Sequence, residues 1–430
     1  MARRASASSN GESMKIRSGR RLGALTAGLL VATAAAAGLI SVGGSGAGAD
    51  TAVTYPLPKD DPFYQSPPNL ASYPNGAIIR SRVVNASVAF VGIKQSANSW
   101  QLAYRSNNSH NQPITAVTTI LVPTAKYTGG APTRPLVSYQ AAEDSTGSQC
   151  APSYTLETGS NILTGQEQSL MALALMKGFA LAIPDYEGPD SGFLVGPQEA
   201  HITLDGIRAA QSFSTAGFSP KTPVGAWGYS GGGHATAWTA ELQHSYAPDL
   251  KIAGIAFGGA PPNLANTVKS LDGGLFFGFV AGAMIGLSHE YPEWNMWGQL
   301  TPSGVATFKA ADNSCIADFA PGFALKKVSD FTTDPNAFNQ PQNQAMLAAD
   351  SLGQNKPVSV IYDYYSQLDE AIPTADSVAL VNKYCSEGVK VVAQPVLLSE
   401  HVTLAVTKTP DVLNFLDDRF SGKWLWGACN

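Results

Sequence analysis

Little in this sequence points to a metal, a nucleic acid or a membrane-spanning body. There are only four cysteines, Cys150, Cys315, Cys385 and Cys429, and no C-x-x-C spacing among them. A thiolate zinc site is therefore not expected, and neither is any other metal or cofactor. Charge is sparse, at 14% of residues, with a net charge of −5. No basic block occurs beyond the N-terminal segment, which argues against nucleic acid as a partner. No internal repeat or low-complexity stretch follows residue 50. One uncharged run, 275–287, spans 13 residues, too few to cross a bilayer. What is present is a chain of 430 residues, 44% of them hydrophobic, ample for a large core. Its 42 glycines and 28 prolines suit many tight loops.

The N-terminus carries a targeting pattern. Arg17, Arg20 and Arg21 precede an uncharged run from 22 to about 40, and small residues then end in Ala47-Gly48-Ala49 before Asp50. This A-x-A pattern predicts a signal peptide over 1–49, with 1–13 an upstream extension if Met14 is the start. A retained anchor competes, because the run is long enough to span. The Ala/Gly richness and the cleavage pattern favour removal, leaving a secreted chain with no stable membrane span. Export makes two disulfides expected from the four cysteines, with three pairings open.

The chain is organised around Thr222-Pro223-Val224-Gly225-Ala226-Trp227-Gly228-Tyr229-Ser230-Gly231-Gly232-Gly233-His234. At its centre is G-x-S-x-G: Gly228, Ser230 and Gly232, with Tyr229 inside the turn. The apolar run 224–227 reads as a buried strand and 235–244 as a helix, the context this motif needs. Side chains at the flanking positions would clash in so tight a turn, so glycine is required there. The serine hydroxyl is then held at the carboxyl edge of a sheet, facing a helix N-terminus whose N–H groups await an oxyanion.

Residues 51–80 are Pro-rich and predicted to lie extended. Strands are expected over 83–93, 100–105 and 114–122, an antiparallel start with a polar turn at 106–112. The pattern then alternates. Strands are expected at 136–139, 179–183 and 252–257, and helices at 166–177 and 202–213. Short, wholly apolar strands mean a mostly parallel sheet covered on both faces. From about 261 to 352 the alternation stops, and 275–287 reads as a buried or interfacial helix. We read 261–352 as an inserted, mainly helical cap, dividing a core of 50–260 and 353–430; burial of that helix in the main core is the alternative. Alternation resumes with a strand at 358–362, a helix at 375–386, a strand at 389–397 and a helix at 411–420.

A serine hydroxyl needs a base to take its proton, and the base needs a third group to orient it. In α/β-hydrolases the chain order is Ser, acid, His. Beyond the serine helix lie only His289, inside the expected cap, and His401, after the strand 391–398 and a short turn. His401 is the candidate base, on a loop at a strand's carboxyl end. His234, one helical turn past Ser230, is expected to pack beneath the site or line it; His110, His201 and His244 are expected at the surface or in packing. Asp369 opens Asp369-Glu370-Ala371-Ile372-Pro373 a few residues after the preceding strand, and is the candidate acid. Asp363 and Glu370 compete: the first follows its strand too soon, the second should point away if Asp369 points in. Gly231 supplies one oxyanion N–H. The second should come from the loop 140–145, which lacks an H-G-G-G stretch, so the residue stays open.

Six stretches in order, Y-Q-A-A-E-D-S at 139–145, C-A-P-S-Y at 150–154, P-D-Y-E-G-P at 184–189, L-D-G-I-R-A at 204–209, G-Y-S-G-G at 228–232 and L-D-E-A-I-P at 368–373, resemble the secretory lipase family. The likeness covers roughly 55–425. It implies an α/β-hydrolase fold with a cap, acting on triacylglycerols and simpler lipid esters without a metal. It places Ser230, Asp369 and His401 in the triad and Asp144 as the second oxyanion donor beside Gly231. It also implies disulfides Cys150–Cys315 and Cys385–Cys429. The expected activity is that of a serine ester hydrolase, a lipase. A short-chain carboxylesterase or an acyltransferase with the same triad is the alternative, and a non-catalytic lipid-binding protein on this scaffold is a further one.

Overall fold

A computed structural model describes residues 55–159, 162–425 and 429; the expected signal peptide at 1–49 lies outside them. The strands are β1 (Ile78–Val83), β2 (Ala89–Phe90), β3 (Ile93–Lys94), β4 (Ala97–Asn107), β5 (Pro113–Pro123), β6 (Leu136–Gln140), β7 (Ala180–Pro184), β8 (Val224–Tyr229), β9 (Ile252–Gly258), β10 (Ile361–Ser366) and β11 (Val391–Val396). Nine of them form one sheet in the order β1-β4-β5-β7-β6-β8-β9-β10-β11. The β1–β4, β4–β5 and β5–β7 pairs are antiparallel. Every pair from β7 to β11 is parallel.

Strands β6, β7, β8 and β10 are buried along their whole length. Helices on both faces cover them, which is why they carry no polar/apolar alternation. On one face Ile202, Leu204 and Ile207 of the Gly196–Ser212 helix pack with Ala235 and Trp238 of the Gly231–Tyr246 helix and with Leu380 and Tyr384 of Thr374–Ser386. On the other, Leu170, Met171 and Leu175 of Ile162–Met176 pack with Leu404, Val412 and Leu416 of His401–Phe420. This is the α/β-hydrolase architecture.

Four expectations need correction. The stretch 83–93 is not one strand. It follows β1, then turns back at Val91 (φ 48°) and Gly92 (φ 77°) to form the separate β2–β3 hairpin. The tract 51–80 is not simply extended: it holds single turns at Pro58–Asp60 and Leu70–Ser72 and the start of β1. The strand expected at 358–362 is β10, which runs to Ser366 and carries Asp363 within it. The last helix starts at His401, ten residues before the expected 411, and continues through Pro410.

Residues 261–352 add no strand to the sheet. They hold a succession of helices, the longest Phe277–Glu290. Its Phe277, Val280 and Ile285 pack with Phe308, Phe319, Phe323 and Phe331 in an apolar cluster separate from the two sheet faces. The helix expected over 275–287 packs into this cluster and, through Ala283 and Leu287, also against Phe193 and Val195 ahead of the Gly196–Ser212 helix. Cys150 is bonded to Cys315 and Cys385 to Cys429, each with Cα atoms 5.4 Å apart. The first ties the loop after β6 to the helical segment; the second ties Cys429 to the Thr374–Ser386 helix. Among the described residues, no helix is long and apolar enough to cross a membrane.

Candidate active site

Ser230 sits between β8 and the Gly231–Tyr246 helix with φ 56° and ψ −121°, a conformation that side chains rarely adopt. Such a residue costs about 1–3 kcal/mol and persists only where the surroundings hold it. Here the Ser230 N–H donates to the Gly258 carbonyl at 2.9 Å, and the Ser230 carbonyl accepts from His234 N–H at 2.9 Å. The flanking glycines are dictated by contact. A Cβ on Gly228 would lie 2.1 Å from the Gly232 carbonyl oxygen, and one on Gly232 would lie 2.0 Å from that of Gln140.

The structure brings Ser230, His401 and Asp369 together. His401 Nε2 is 2.8 Å from Ser230 Oγ. His401 Nδ1 is 2.8 Å from Asp369 Oδ2 and 3.0 Å from Oδ1. Asp369 Oδ1 also accepts from the Ala371 and Ile372 N–H groups at 3.0 and 2.8 Å, so a tight turn fixes the carboxylate. β8, β10 and β11 are near neighbours in the sheet, and the three groups follow their carboxyl ends.

His401 was expected on a loop; it is the first residue of a helix. Glu400 caps that helix, its carboxylate accepting from Val402 and Thr403 N–H at 2.8 and 2.7 Å. Glu370 accepts from the His401 N–H at 3.0 Å, and the Tyr229 hydroxyl donates to the His401 carbonyl. The Tyr229 ring packs against the imidazole with centroids 5.1 Å apart. Sequence reasoning missed these three supports. Glutamate is not among the preferred helix-capping residues, so Glu400 gave no usual start signal. Of the rival acids, Glu370 holds the His401 backbone, while Asp363 is buried in β10 and driven well above the usual carboxylate range by that burial.

Asp144 has φ 48° and lies against the start of the serine helix: a Cβ on Gly231 would be 1.9 Å from its Oδ1. That oxygen is buried with no hydrogen-bond partner. Burial pushes the Asp144 carboxyl up to about 7; the nearby His401 and His234 pull it down, and the Glu199 carboxylate adds to the rise. The Asp144 loop is clamped to the helical segment by Cys150–Cys315 and by Thr146 N–H donating to the Ser314 carbonyl at 3.0 Å.

The other histidines point elsewhere. His234 is fully buried, with Nδ1 2.8 Å from Glu199 Oε2 and Nε2 2.9 Å from the Asp350 carbonyl. Burial works to lower its pKa, but the Glu199 carboxylate outweighs this and raises it. His289 pairs with Asp312 at 2.9 Å, within the helical segment. His201 stacks on Tyr246, and burial lowers it to about 4. His110 reaches Glu290, and His244 is exposed.

Asp144, Ser230, Gly231 and His401 open on an apolar cavity of about 130 Å³, walled by Phe193, Leu264, Val268, Ala283, Leu287 and Leu347. Among the described residues, no group of three or more His, Cys, Asp or Glu side chains is placed to hold a metal ion.

The sequence pattern of secretory lipases matches residues 155–427. The chain belongs to the secretory lipase family. Of its relatives in that family, a probable inactive lipase of Mycobacterium tuberculosis is 36% identical over 376 residues, 85% of this chain and 83% of that one. Lipase A of Arthroderma benhamiae is 35% identical over 387 residues, 86% and 81%. The crystal structure of Candida antarctica lipase A in its closed state superposes with a TM-score of 0.79 at 28% identity, covering 87% of this chain and 89% of that one.

Proposed function

We propose that this secretory lipase family member is a secreted serine ester hydrolase that cleaves lipid esters, triacylglycerols among them, through an acyl-enzyme. The observation that carries the reading is the continuous relay from Asp369 through His401 to Ser230, at 2.8 Å in each link. One relative is named a probable inactive lipase, so family membership alone does not decide activity; the relay in this chain supports it.

In the proposed mechanism, His401 Nε2 takes the Ser230 proton as Oγ attacks the ester carbonyl. The Gly231 and Asp144 backbone N–H groups hold the oxyanion, at the start of a helix whose dipole favours negative charge. Asp369 keeps the Nδ1 proton in place and stabilises the imidazolium. His401 then protonates the leaving alcohol, and water repeats the sequence to release the acid. The wholly apolar wall of Leu264, Val268, Ala283 and Leu287 supports an acyl chain as its occupant. We assign 261–352 as a helical cap on this ground, since it supplies most of that wall. Exposed Leu275, Leu368, Leu397 and Leu398, all near the segments that line the opening, fit contact with a lipid surface. The two disulfides and the signal pattern fit secretion.

The test is a panel of p-nitrophenyl esters from acetate to palmitate, with tributyrin and triolein beside it. The wild-type chain turns these over, and Ser230→Ala loses about 10⁴-fold or more. Near-full turnover by Ser230→Ala ends the proposal.

A further inference from the structure

A second cavity, of about 100 Å³, reaches Ser230 and His401 from another side. Its own walls are Ala142, Glu167, Leu170, Tyr229, Ala405 and Val406; Phe279 and Val402 separate it from the larger cavity and line both. The two spaces differ in chemistry. The larger one shares Val268, Val280, Ala283, Leu287 and Leu347 with a further apolar space bounded by Met284, Trp294 and Met296. At roughly 10–15 Å³ of such space for each water-sized group, the smaller one holds several groups, the size of a glyceryl unit. It also holds a carboxyl group. Glu167 is 7% exposed, and the Tyr139 hydroxyl donates to its Oε2.

An ester on Ser230 has two arms. The leaving oxygen must lie within reach of His401 Nε2, which returns the proton it took from Ser230. Val402, Ala405 and Val406 stand on the helix that His401 begins, so the smaller cavity lies along the imidazole's own helix. With the acyl arm in the larger, more apolar cavity, the alcohol arm falls here. An alkyl alcohol leaves the Glu167 carboxyl facing carbon. An alcohol with a second, free hydroxyl can hydrogen-bond to it. Burial raises Glu167 to about 8, so near neutral pH the group is an uncharged acid able to donate as well as accept.

We infer that this cavity is the alcohol-side subsite, fitted to a hydroxyl-bearing alcohol such as the glyceryl group of a partial glyceride, with Glu167 as the residue that binds its free hydroxyl. The inference rests on the ester-hydrolase reading. It predicts selectivity for esters of polyols over esters of plain alcohols with the same acid.

The experiment compares kcat/KM for glyceryl monobutyrate and ethyl butyrate, whose acyl groups are identical. Wild-type enzyme favours the glyceryl ester by about tenfold, the worth of one hydrogen bond in a buried site. Glu167→Leu lowers that ratio about tenfold, through KM. Glu167→Gln, which keeps a donor and an acceptor at the same place, restores most of it. Val406→Phe fills the cavity from a partly exposed position and also lowers the ratio. Should Glu167→Leu fail to fold, Val406→Phe decides the matter. Soluble Glu167→Leu or Val406→Phe enzyme that hydrolyses both esters with the wild-type ratio overturns the subsite. A wild-type chain that hydrolyses neither ester overturns the hydrolase reading instead.

Discussion

Replacing Asp369 with asparagine separates chemistry from folding. Asp369 Oδ1 accepts from the Ala371 and Ile372 N–H groups at 3.0 and 2.8 Å, whereas Oδ2 faces His401 Nδ1 at 2.8 Å. An asparagine must therefore keep its oxygen at the Oδ1 position, or leave two backbone donors unpaired. Its NH₂ then points at Nδ1. An NH₂ group only donates, so Nδ1 must accept, and the imidazole proton moves to Nε2. Nε2 sits 2.8 Å from Ser230 Oγ, and it now presents N–H where a lone pair is needed. The base is in place in the wrong tautomer. The corresponding loss in Ser-His-Asp enzymes is about 10⁴-fold in kcat, or about 5.5 kcal/mol of barrier. The turn at 369–372 keeps both its hydrogen bonds, so Tm should move by no more than a few degrees. Initial rates on p-nitrophenyl butyrate and a thermal melt of the same sample give both numbers. An Asp369→Asn variant that melts normally and retains activity within tenfold of wild type refutes the relay.

Two further outcomes follow from contacts elsewhere in the site. Gly228→Ala places a methyl 2.1 Å from the Gly232 carbonyl oxygen and 2.4 Å from Thr236 Oγ1. Backbone must move, so stability should fall by about 1–3 kcal/mol and activity by more than the unfolded fraction explains; denaturant melts and rates that match wild type would contradict the clash. Asp144, Asp185 and Asp350 are each raised to about 7 and Glu167 to about 8, in every case chiefly by burial. These acids are neutral in the fold but ionise near pH 4 when unfolded, so their contribution is fully present below about pH 4 and lost as pH rises towards 7–8. Tm should therefore fall between pH 5 and pH 8, each group contributing up to about 1.4 kcal/mol per pH unit over its window; a Tm that climbs over that range would show these acids to be ionised in the folded chain.

The parts of the fold that were legible in the sequence are those set by strong local constraint. The bend at Ser230 needs Gly228 and Gly232 because backbone oxygens occupy the space a side chain would fill. The parallel strands announce themselves because burial on both faces leaves runs such as Val224–Tyr229 without an exposed residue. What was not legible depended on exceptions to those constraints. The two-residue reversal at Val91 and Gly92 leaves the apolar pattern on either side intact, so one strand was expected where a hairpin stands. Asp363 looks like the end of a strand, yet β10 carries it inward, where burial pushes its carboxyl well above the usual carboxylate range. Pro410 reads as a helix start, and Glu400 is an uncommon cap, so the helix that carries His401 seemed to begin a decade too late. Cysteine spacing could not choose among three pairings, since loops of 165 and 44 residues leave no local trace. Glu167 gave no signal at all, because its place in a cavity shared with Ser230 arises only when the Ile162–Met176 helix packs against the His401 helix.

The claim beneath all of this is that the Ser230 hydroxyl is made nucleophilic by His401. Incubating the purified chain with a fluorophosphonate and locating the adduct by mass spectrometry tests that claim most directly. The account predicts a single adduct, on Ser230, formed quickly by wild type and slowed by orders of magnitude in His401→Ala. A folded wild-type chain that stays unlabelled, or one labelled at the same rate without His401, would contradict it.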